Sequence, residues 1–207
     1  NGSVREEADG NITISLDDNT ATTGDTRTLT IDALKGEDLT VDAEIDAGSA
    51  DTSDLVITDS DGNGNTVTFT GVVGDSDLDS ITTGSTEDSS VTFQNNVTSG
   101  GLNIGDGSGS NTNLVTFDSQ NTEITVTGTV AGAAAETANN IDVKGGKKVT
   151  FANDVGSSAT DNLTVTGSGT SAVFNGDLDV VATSIEADAN ATLNGTAGTN
   201  ETDVSLA

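Results

Sequence analysis

Val67-Thr68-Phe69 is the stretch that decides the fold, because the same tripeptide returns three times further along the chain. The copies are Val91-Thr92-Phe93, Val115-Thr116-Phe117 and Val149-Thr150-Phe151, with a near copy at Ala172-Val173-Phe174. These five sites hold every Phe of the 207-residue sequence, and the first three copies begin 24 residues apart. Alternate residues of a strand share a face, so Val and Phe point one way and Thr the other. Aromatic residues confined to one position of a repeat predict coils that stack around a shared core.

Each tripeptide is followed by a few small or polar residues and then by a return to Val or Leu. A second short strand pattern comes next, and a turn rich in Gly, Ser, Thr and Asn precedes the following copy. A period near 24 residues that carries two or three short strands predicts an all-β chain folded as a parallel β-solenoid. The predicted core column of that solenoid consists of Phe69, Phe93, Phe117, Phe151 and Phe174. The alternative is a β-sandwich, in which the five Phe fill the space between two facing sheets.

The step from the third tripeptide to the fourth is 34 residues rather than 24. The Ala-rich segment 131–140 is about as long as the excess, and we interpret it as a loop inserted into one coil. Residues 1–11 are polar and are expected to form a flexible or strand-donating arm. The remaining residues, 12–207, are predicted to form a single β-solenoid domain.

The chain is strongly acidic, with 34 Asp and Glu against 6 Lys and Arg and a net charge of −28. Such a surface repels nucleic-acid phosphates and anionic membranes and attracts divalent cations. Nucleic acid binding is therefore not expected. Membrane insertion is not expected either, because no apolar run approaches the ~20 residues that span a bilayer. Only 2% of the residues are aromatic, which favours a thin, elongated core.

Catalytic groups are scarce in this sequence. It has no His and no Cys, so neither a Ser-His nor a Cys-His nucleophile can be assembled. General acid catalysis needs a carboxyl whose pKa is raised by desolvation, and no carboxylate pair in the sequence stands out for that role. We therefore do not expect an enzyme.

The best local motif for a ligand is the acidic stretch 59–65. Asp59, Asp61, Asn63 and Gly64 match positions 1, 3, 5 and 6 of a calcium loop, but position 12 is Thr rather than Glu. The predicted calcium ligands are the side chains of Asp59, Asp61, Asn63 and Asn65. The same residues are also typical of a turn between two strands, and both interpretations stay open. A second, weaker metal candidate consists of Asp75, Asp77 and Asp79.

Half of the positive charge lies in one short segment, at Lys144, Lys147 and Lys148. In so acidic a protein these side chains are candidates for an assembly contact with an acidic face of a neighbouring copy. The alternative is that they protect an exposed turn or sheet edge against aggregation.

The pattern V-T-F-x-x-x-V, followed by a turn and by L-T-V-T-G at 163–167, resembles the repeats of large bacterial surface proteins. Autotransporter passengers and filamentous-haemagglutinin-like adhesins have such repeats, and the similarity covers roughly residues 67–195. The resemblance implies a right-handed β-helix that is exported to the cell surface of a prokaryote. The bulk composition, acidic and without Cys, is similar to that of surface-layer proteins.

Stackable repeats without a catalytic constellation predict an extracellular structural protein. We expect it to assemble with copies of itself into a surface layer, sheath or filament that calcium stabilises. Open solenoid ends or a terminal strand would join copies head to tail, a contact that generates fibres. The alternative function is an adhesin or glycan-binding module that presents loops to a host or to a cell-surface polysaccharide.

Overall fold

The computed structural model describes residues 13–15, 26–33, 38–46, 52–58, 64–74, 78–84, 87–107, 109–197 and 203–206. These residues contain twenty strands and no helix, and every strand pair is parallel. The strands are β1 (Thr13–Ser15), β2 (Thr26–Asp32), β3 (Leu39–Val41), β4 (Glu44–Asp46), β5 (Thr52–Thr58), β6 (Thr66–Phe69), β7 (Leu78–Thr83), β8 (Ser89–Phe93), β9 (Val97–Ile104), β10 (Thr112–Asp118), β11 (Ile124–Gly132), β12 (Ala138–Lys144), β13 (Lys148–Phe151), β14 (Val155–Gly156), β15 (Asn162–Val165), β16 (Ser171–Phe174), β17 (Leu178–Asp179), β18 (Ala182–Ile185), β19 (Asn190–Leu193) and β20 (Asp203–Leu206).

The strands form a solenoid with three faces, because the chain visits three sheets in turn before it returns to the first. Face A contains β3, β6, β8, β10, β12, β15, β18 and β20 in that order. Face B contains β1, β4, the beginnings of β9 and β11, and then β13, β16 and β19; a bridge at Val73 continues it between β4 and β9. Face C contains β2, β5, β7, the ends of β9 and β11, and then β14 and β17. The predicted parallel β-solenoid is confirmed, and the β-sandwich alternative is wrong.

Two long strands pass round the corner between faces B and C. At its beginning β11 pairs through Val126 with Val97 of β9, and at its end Val130 pairs with Leu102. The register of this pair shifts between Thr127 and Thr129, which marks the bend. A register irregularity of this kind redirects a strand without ending it.

The length of the coils varies by several residues along the stack. In-register residues on face A follow one another at steps of 24, 24, 26, 22 and 20 through Val67, Val91, Val115, Ile141, Leu163 and Thr183. The period of 24 read from the tripeptides is therefore the length of a coil in the middle of the solenoid, and the coils shorten towards the C-terminal end.

All five Phe side chains are buried and form one column through the core. The ring centroids of successive pairs lie 5.4, 5.8, 5.1 and 5.0 Å apart. Phe69, Phe93 and Phe117 are stacked on face A, whereas Phe151 belongs to face B and meets Phe117 edge-on, at 88°. The column therefore changes face between the third tripeptide and the fourth.

This change of face explains the step of 34 residues. On face A the partner of Phe117 in the next coil is Val143, and Phe151 follows one strand later, on face B, in register with Val126. Residues 131–140 are not an inserted loop, since their first two residues end β11 and their last three begin β12. Only 133–137 lie between these strands. The predicted arm, residues 1–11, lies outside the described residues.

Candidate functional site

At the C-terminal end of the solenoid, the apolar core is partly uncovered on face B. Strand β19 pairs with β16 on one side, with Phe174 in register with Leu193, and within the described residues no strand pairs with its other side. Leu193 is 40% exposed, whereas Phe174 one coil earlier is 1% exposed. The same inward position is thus sealed inside the stack and open at its end.

A cavity of about 160 Å³ opens between the last rungs of the stack. Its lining is almost entirely apolar and consists of Phe174, Leu178, Thr183, Ile185, Ala191 and Leu193. These residues come from faces A, B and C, so the cavity is the end of the core itself rather than a surface groove. An apolar surface of this kind gains free energy when it is covered, at about 25 cal/mol per Å² buried.

The other end of the stack also places apolar side chains at its limit. Leu29 and Ile31 of β2 and Leu39 and Val41 of β3 pack against the core but are only partly buried. Within the described residues, β2 pairs only with β5 and β3 only with β6. Each end therefore offers strand edges together with apolar side chains.

The predicted calcium ligands fall mostly outside the part of the chain that the structure describes. Asp59, Asp61 and Asn63 lie there, as do Asp75 and Asp77 of the second candidate. Asn65 is buried directly before β6, and Asp79 is exposed on β7. Among the described residues, no three Asp or Glu side chains are grouped closely enough to hold a metal ion. Calcium binding stays a prediction.

The three clustered lysines lie at the corner between β12 and β13, and each has a partner within the chain. Lys148 Nζ lies 3.0 Å from Glu123 Oε2, and Lys147 Nζ donates a hydrogen bond of 2.6 Å to the carbonyl oxygen of Asn121. Lys147 and Lys148 thus tie their corner to the preceding coil. Exposed pairs of this kind contribute at most about 1 kcal/mol to stability.

Lys144 lies beside Asp142, a carboxylate on the outer side of β12 whose charged form is disfavoured by its surroundings. Asp142 Oδ2 is 3.9 Å from Lys144 Nζ, and its Oδ1 is buried without a hydrogen-bond partner among the described residues. Burial raises the pKa of Asp142 above its ordinary value of 3.8; Lys144 opposes this shift, and the nearby Glu186 and Asp118 reinforce it.

We expect Asp142→Asn to raise the melting temperature of the protein at about pH 7. Because burial raises the pKa of Asp142 in the folded state, the charged carboxylate lowers the stability of the folded protein at about pH 7. The protonated carboxyl does not have this cost, so the corresponding stability is present below the unfolded pKa and is lost as the pH rises through the folded pKa. Asn is neutral at every pH, so the advantage of the variant should shrink as the pH falls to about 3. Calorimetry of both proteins at the two pH values measures the difference.

Asp177 is the matched control, with a shift of the opposite sign. Its Oδ1 accepts hydrogen bonds from the Thr196 hydroxyl at 2.6 Å and from the backbone N–H of Thr196 at 2.9 Å, and these lower the pKa of Asp177. The stability that these hydrogen bonds give the folded protein is present above the unfolded pKa of Asp177 and is lost as the pH falls through the folded pKa. Asp177→Asn should therefore lower the melting temperature at about pH 7. A shift of the same sign in both variants would contradict the role assigned to burial at Asp142.

Sequence reasoning missed a buried polar column at the corner between faces C and A. Ser89 Oγ donates to Asn113 Oδ1 at 3.0 Å, and Asn113 Nδ2 donates to Asn139 Oδ1 at 3.1 Å. Asn139 Nδ2 in turn donates to the carbonyl oxygens of Ala133 and Ala159, each at 2.9 Å. The signal in the sequence is a polar residue two positions before the first buried, in-register apolar residue of a face A strand, which is Val91, Val115 or Ile141.

Glu136, within the Ala-rich segment, also has a structural role that the sequence did not reveal. Its carboxylate accepts the backbone N–H groups of Gly107 and Asn111 at 2.9 and 3.0 Å. Residues 133–137 therefore fix the turn of the preceding coil.

No family model, curated protein or solved structure matches the chain. Within the described residues there is also no helix with the length and hydropathy needed to cross a membrane. The fold and the end of its core are therefore the observations on which a function has to be based.

Proposed function

We propose that this chain is a structural protein whose solenoids stack end to end into a filament, sheath or surface layer. The observation that carries the proposal is the uncovered core at the C-terminal end of the stack, where Leu193 is 40% exposed beside an apolar cavity of about 160 Å³. The partner is a second copy of the chain, whose N-terminal coil covers that cavity. The assembly lies outside a prokaryotic cell, and the protein performs no catalysis.

The coil-to-coil contact inside the chain is the template for the contact between copies. Each coil adds parallel backbone hydrogen bonds and an apolar layer to the coil before it, and in the part of the chain that the structure describes β19 has the next free edge of face B. At the other end, Leu29, Ile31, Leu39 and Val41 are apolar residues at the edges of faces C and A. A junction between unlike ends is heterologous and continues without closing, which produces a fibre.

Repulsion between the acidic copies opposes this junction, so the concentration of salt and of divalent cations should regulate assembly. Every copy carries a net charge of −28, so unscreened copies repel one another. Salt at about 0.15 M limits the range of this repulsion to about 8 Å, and a bound divalent cation neutralises part of it locally. Assembly should thus be promoted by salt and by calcium.

The end-stacking proposal predicts that Leu193→Glu abolishes assembly. The substitution places a charge in an apolar contact, where an unpaired carboxylate is strongly disfavoured. Sedimentation and negative-stain electron microscopy of the wild type, in salt with calcium and with a chelator, give the reference. Thr127→Glu is the matched control, because it adds the same charge at an exposed site in the middle of the stack.

Filaments of the wild type and of Thr127→Glu, with monomers of Leu193→Glu, are the result expected. Wild-type monomers under every condition would overturn the structural role. Filaments of Leu193→Glu that match the wild type would show that copies join elsewhere than at the C-terminal end.

Calcium stabilisation is tested separately, on the monomeric Leu193→Glu variant. Calcium at about 1 mM should raise its melting temperature, since extracellular calcium sites commonly bind in that range. In a second variant that also carries Asp61→Asn, the increase should disappear. If the melting temperature of the first variant does not change with calcium, the stretch 59–65 is a turn without a bound ion.

A further inference from the structure

Two Asn–Gly pairs lie one above the other at the corner between faces B and C. Asn175-Gly176 follows β16 and Asn194-Gly195 follows β19, and both Asn residues are exposed. Asn194 Nδ2 donates a hydrogen bond of 2.8 Å to Asn175 Oδ1. The two pairs are thus chemically alike and directly connected, and they differ in their position within the stack.

Close approach of the coils requires glycine at both pairs. A Cβ atom on Gly176 would lie 2.5 Å from the carbonyl carbon of Asn153, and one on Gly195 would lie 2.1 Å from the oxygen of Gly176. Larger residues are therefore excluded after each Asn. Without a Cβ, the backbone nitrogen of the glycine is open to approach by the preceding side chain.

The stack restrains Asn175 more than Asn194. Asn175 has a coil on both sides: its N–H donates to Phe151, and its side-chain oxygen accepts from Asn194. Asn194 follows the edge strand and, among the residues that the structure describes, has a packed coil on one side only, where its N–H donates to Phe174. Within the described residues, neither Asn194 Oδ1 nor the Gly195 N–H has a hydrogen-bond partner.

We propose that Asn194 is a site of spontaneous deamidation, with the Gly195 nitrogen as the nucleophile. The deprotonated Gly195 nitrogen attacks Asn194 Cγ, a C–N bond forms, and the side-chain nitrogen leaves as ammonia with the proton. Water then adds to one of the two carbonyl groups of the resulting succinimide and breaks a ring C–N bond. The product is Asp or isoaspartate at position 194, and no oxidant or reductant is needed.

The modification changes the open end of the solenoid. A carboxylate at position 194 has no N–H to donate, so the hydrogen bond to Asn175 Oδ1 is replaced by repulsion between two oxygens. The new charge also lies two residues before Thr196, which donates two hydrogen bonds to the carboxylate of Asp177. Isoaspartate additionally lengthens the backbone where Gly195 and Gly176 approach each other most closely. Modification should therefore loosen the last coil.

Peptide mass spectrometry of the full chain during incubation at about pH 8 tests the proposal. Asn194 should gain about 1 Da with loss of ammonia, about tenfold faster than Asn190, which begins β19 and precedes Ala. Asn175 should react more slowly than Asn194. An equal or faster reaction at Asn175, or a rate at Asn194 no greater than at Asn190, would overturn the proposal.

Incubation in concentrated urea separates the effect of the stack from that of local sequence. In the unfolded chain both Asn–Gly pairs are unrestrained, so the preference for Asn194 over Asn175 should disappear. A preference that persists in urea would come from neighbouring residues, and the structural explanation would then be wrong. Asn194→Gln should abolish the mass gain at this position in the folded protein, because Gln would have to form a larger ring.

Discussion

Phe117→Ala is expected to lower the free energy of unfolding by about 3–5 kcal/mol, the loss typical of truncating a large buried aromatic residue. Phe117 is fully buried and contacts two rings of the column, Phe93 at 5.8 Å and Phe151 at 5.1 Å. It also joins the stacked part of the column on face A to the edge-on contact with face B. Its removal leaves a cavity in the centre of a thin core with few large side chains that can fill it.

Leu193→Ala is the control for this experiment, because it truncates an apolar residue of the same column position at the open end. Since Leu193 is already 40% exposed, we expect a loss of no more than about 1.5 kcal/mol in the monomer. Chemical denaturation followed by circular dichroism measures both variants. Similar losses in the two would show that the middle of the ring column is no more important than its end.

Gly74→Ala is the second substitution for which a large effect is expected. Gly74 has a φ of 76°, and a Cβ atom there would lie 2.0 Å from the Thr98 oxygen and 2.7 Å from Leu78 Cδ2. The oxygen belongs to the backbone of the next coil and cannot move alone. The coils would have to separate at this corner, so we expect a loss of about 4 kcal/mol or more.

Gly64→Ala is a closely matched control, because its φ is 73° and a Cβ atom there meets no atom within 4 Å. The two variants share the strain of an L-residue in the left-handed region, which costs about 1–2 kcal/mol. They differ in whether a neighbouring coil occupies the space. Denaturation curves that show equal losses would mean that backbone strain, and not the spacing of the coils, explains the effect.

The coil length was predictable from the sequence because the tripeptide repeats without change. Alternate residues of a strand share a face, so the Val and Phe of each tripeptide point inward together. Val67, Phe69 and the following Val73 are all buried. Gly marks several of the corners because neighbouring coils lie too close there to leave room for a Cβ atom. Local chemistry is sufficient for these inferences.

The face on which each tripeptide lies was not predictable in the same way. Val-Thr-Phe has the same alternation on face A in β10 and on face B in β13, so nothing within the tripeptide distinguishes the two positions. From the sequence alone, the longer step therefore predicts an inserted loop at 131–140. In the structure, residues 138–140 belong to β12, which pairs with β10 on one side and with β15 on the other.

At the candidate site, too, some features are visible in the sequence and others only in the structure. The acidic stretch 59–65 was visible in the sequence because metal ligands form a local pattern, and calcium binding there stays a prediction. The open end with Leu193 was not visible, because a Leu in an alternating strand has the same pattern whether or not another coil covers it. The column of Ser89, Asn113 and Asn139 was hidden for a related reason, since its residues are 24 and 26 positions apart.

The sequence by itself determined that this protein is an all-β solenoid, how long its coils are and which aromatic residues form its core. These properties depend on the alternation and period of side chains along one chain. Only the tertiary structure decided where the ring column changes face, which polar side chains meet inside the corners and which end of the core is uncovered. Those depend on the register between coils, which is fixed by contacts between residues 19 or more positions apart.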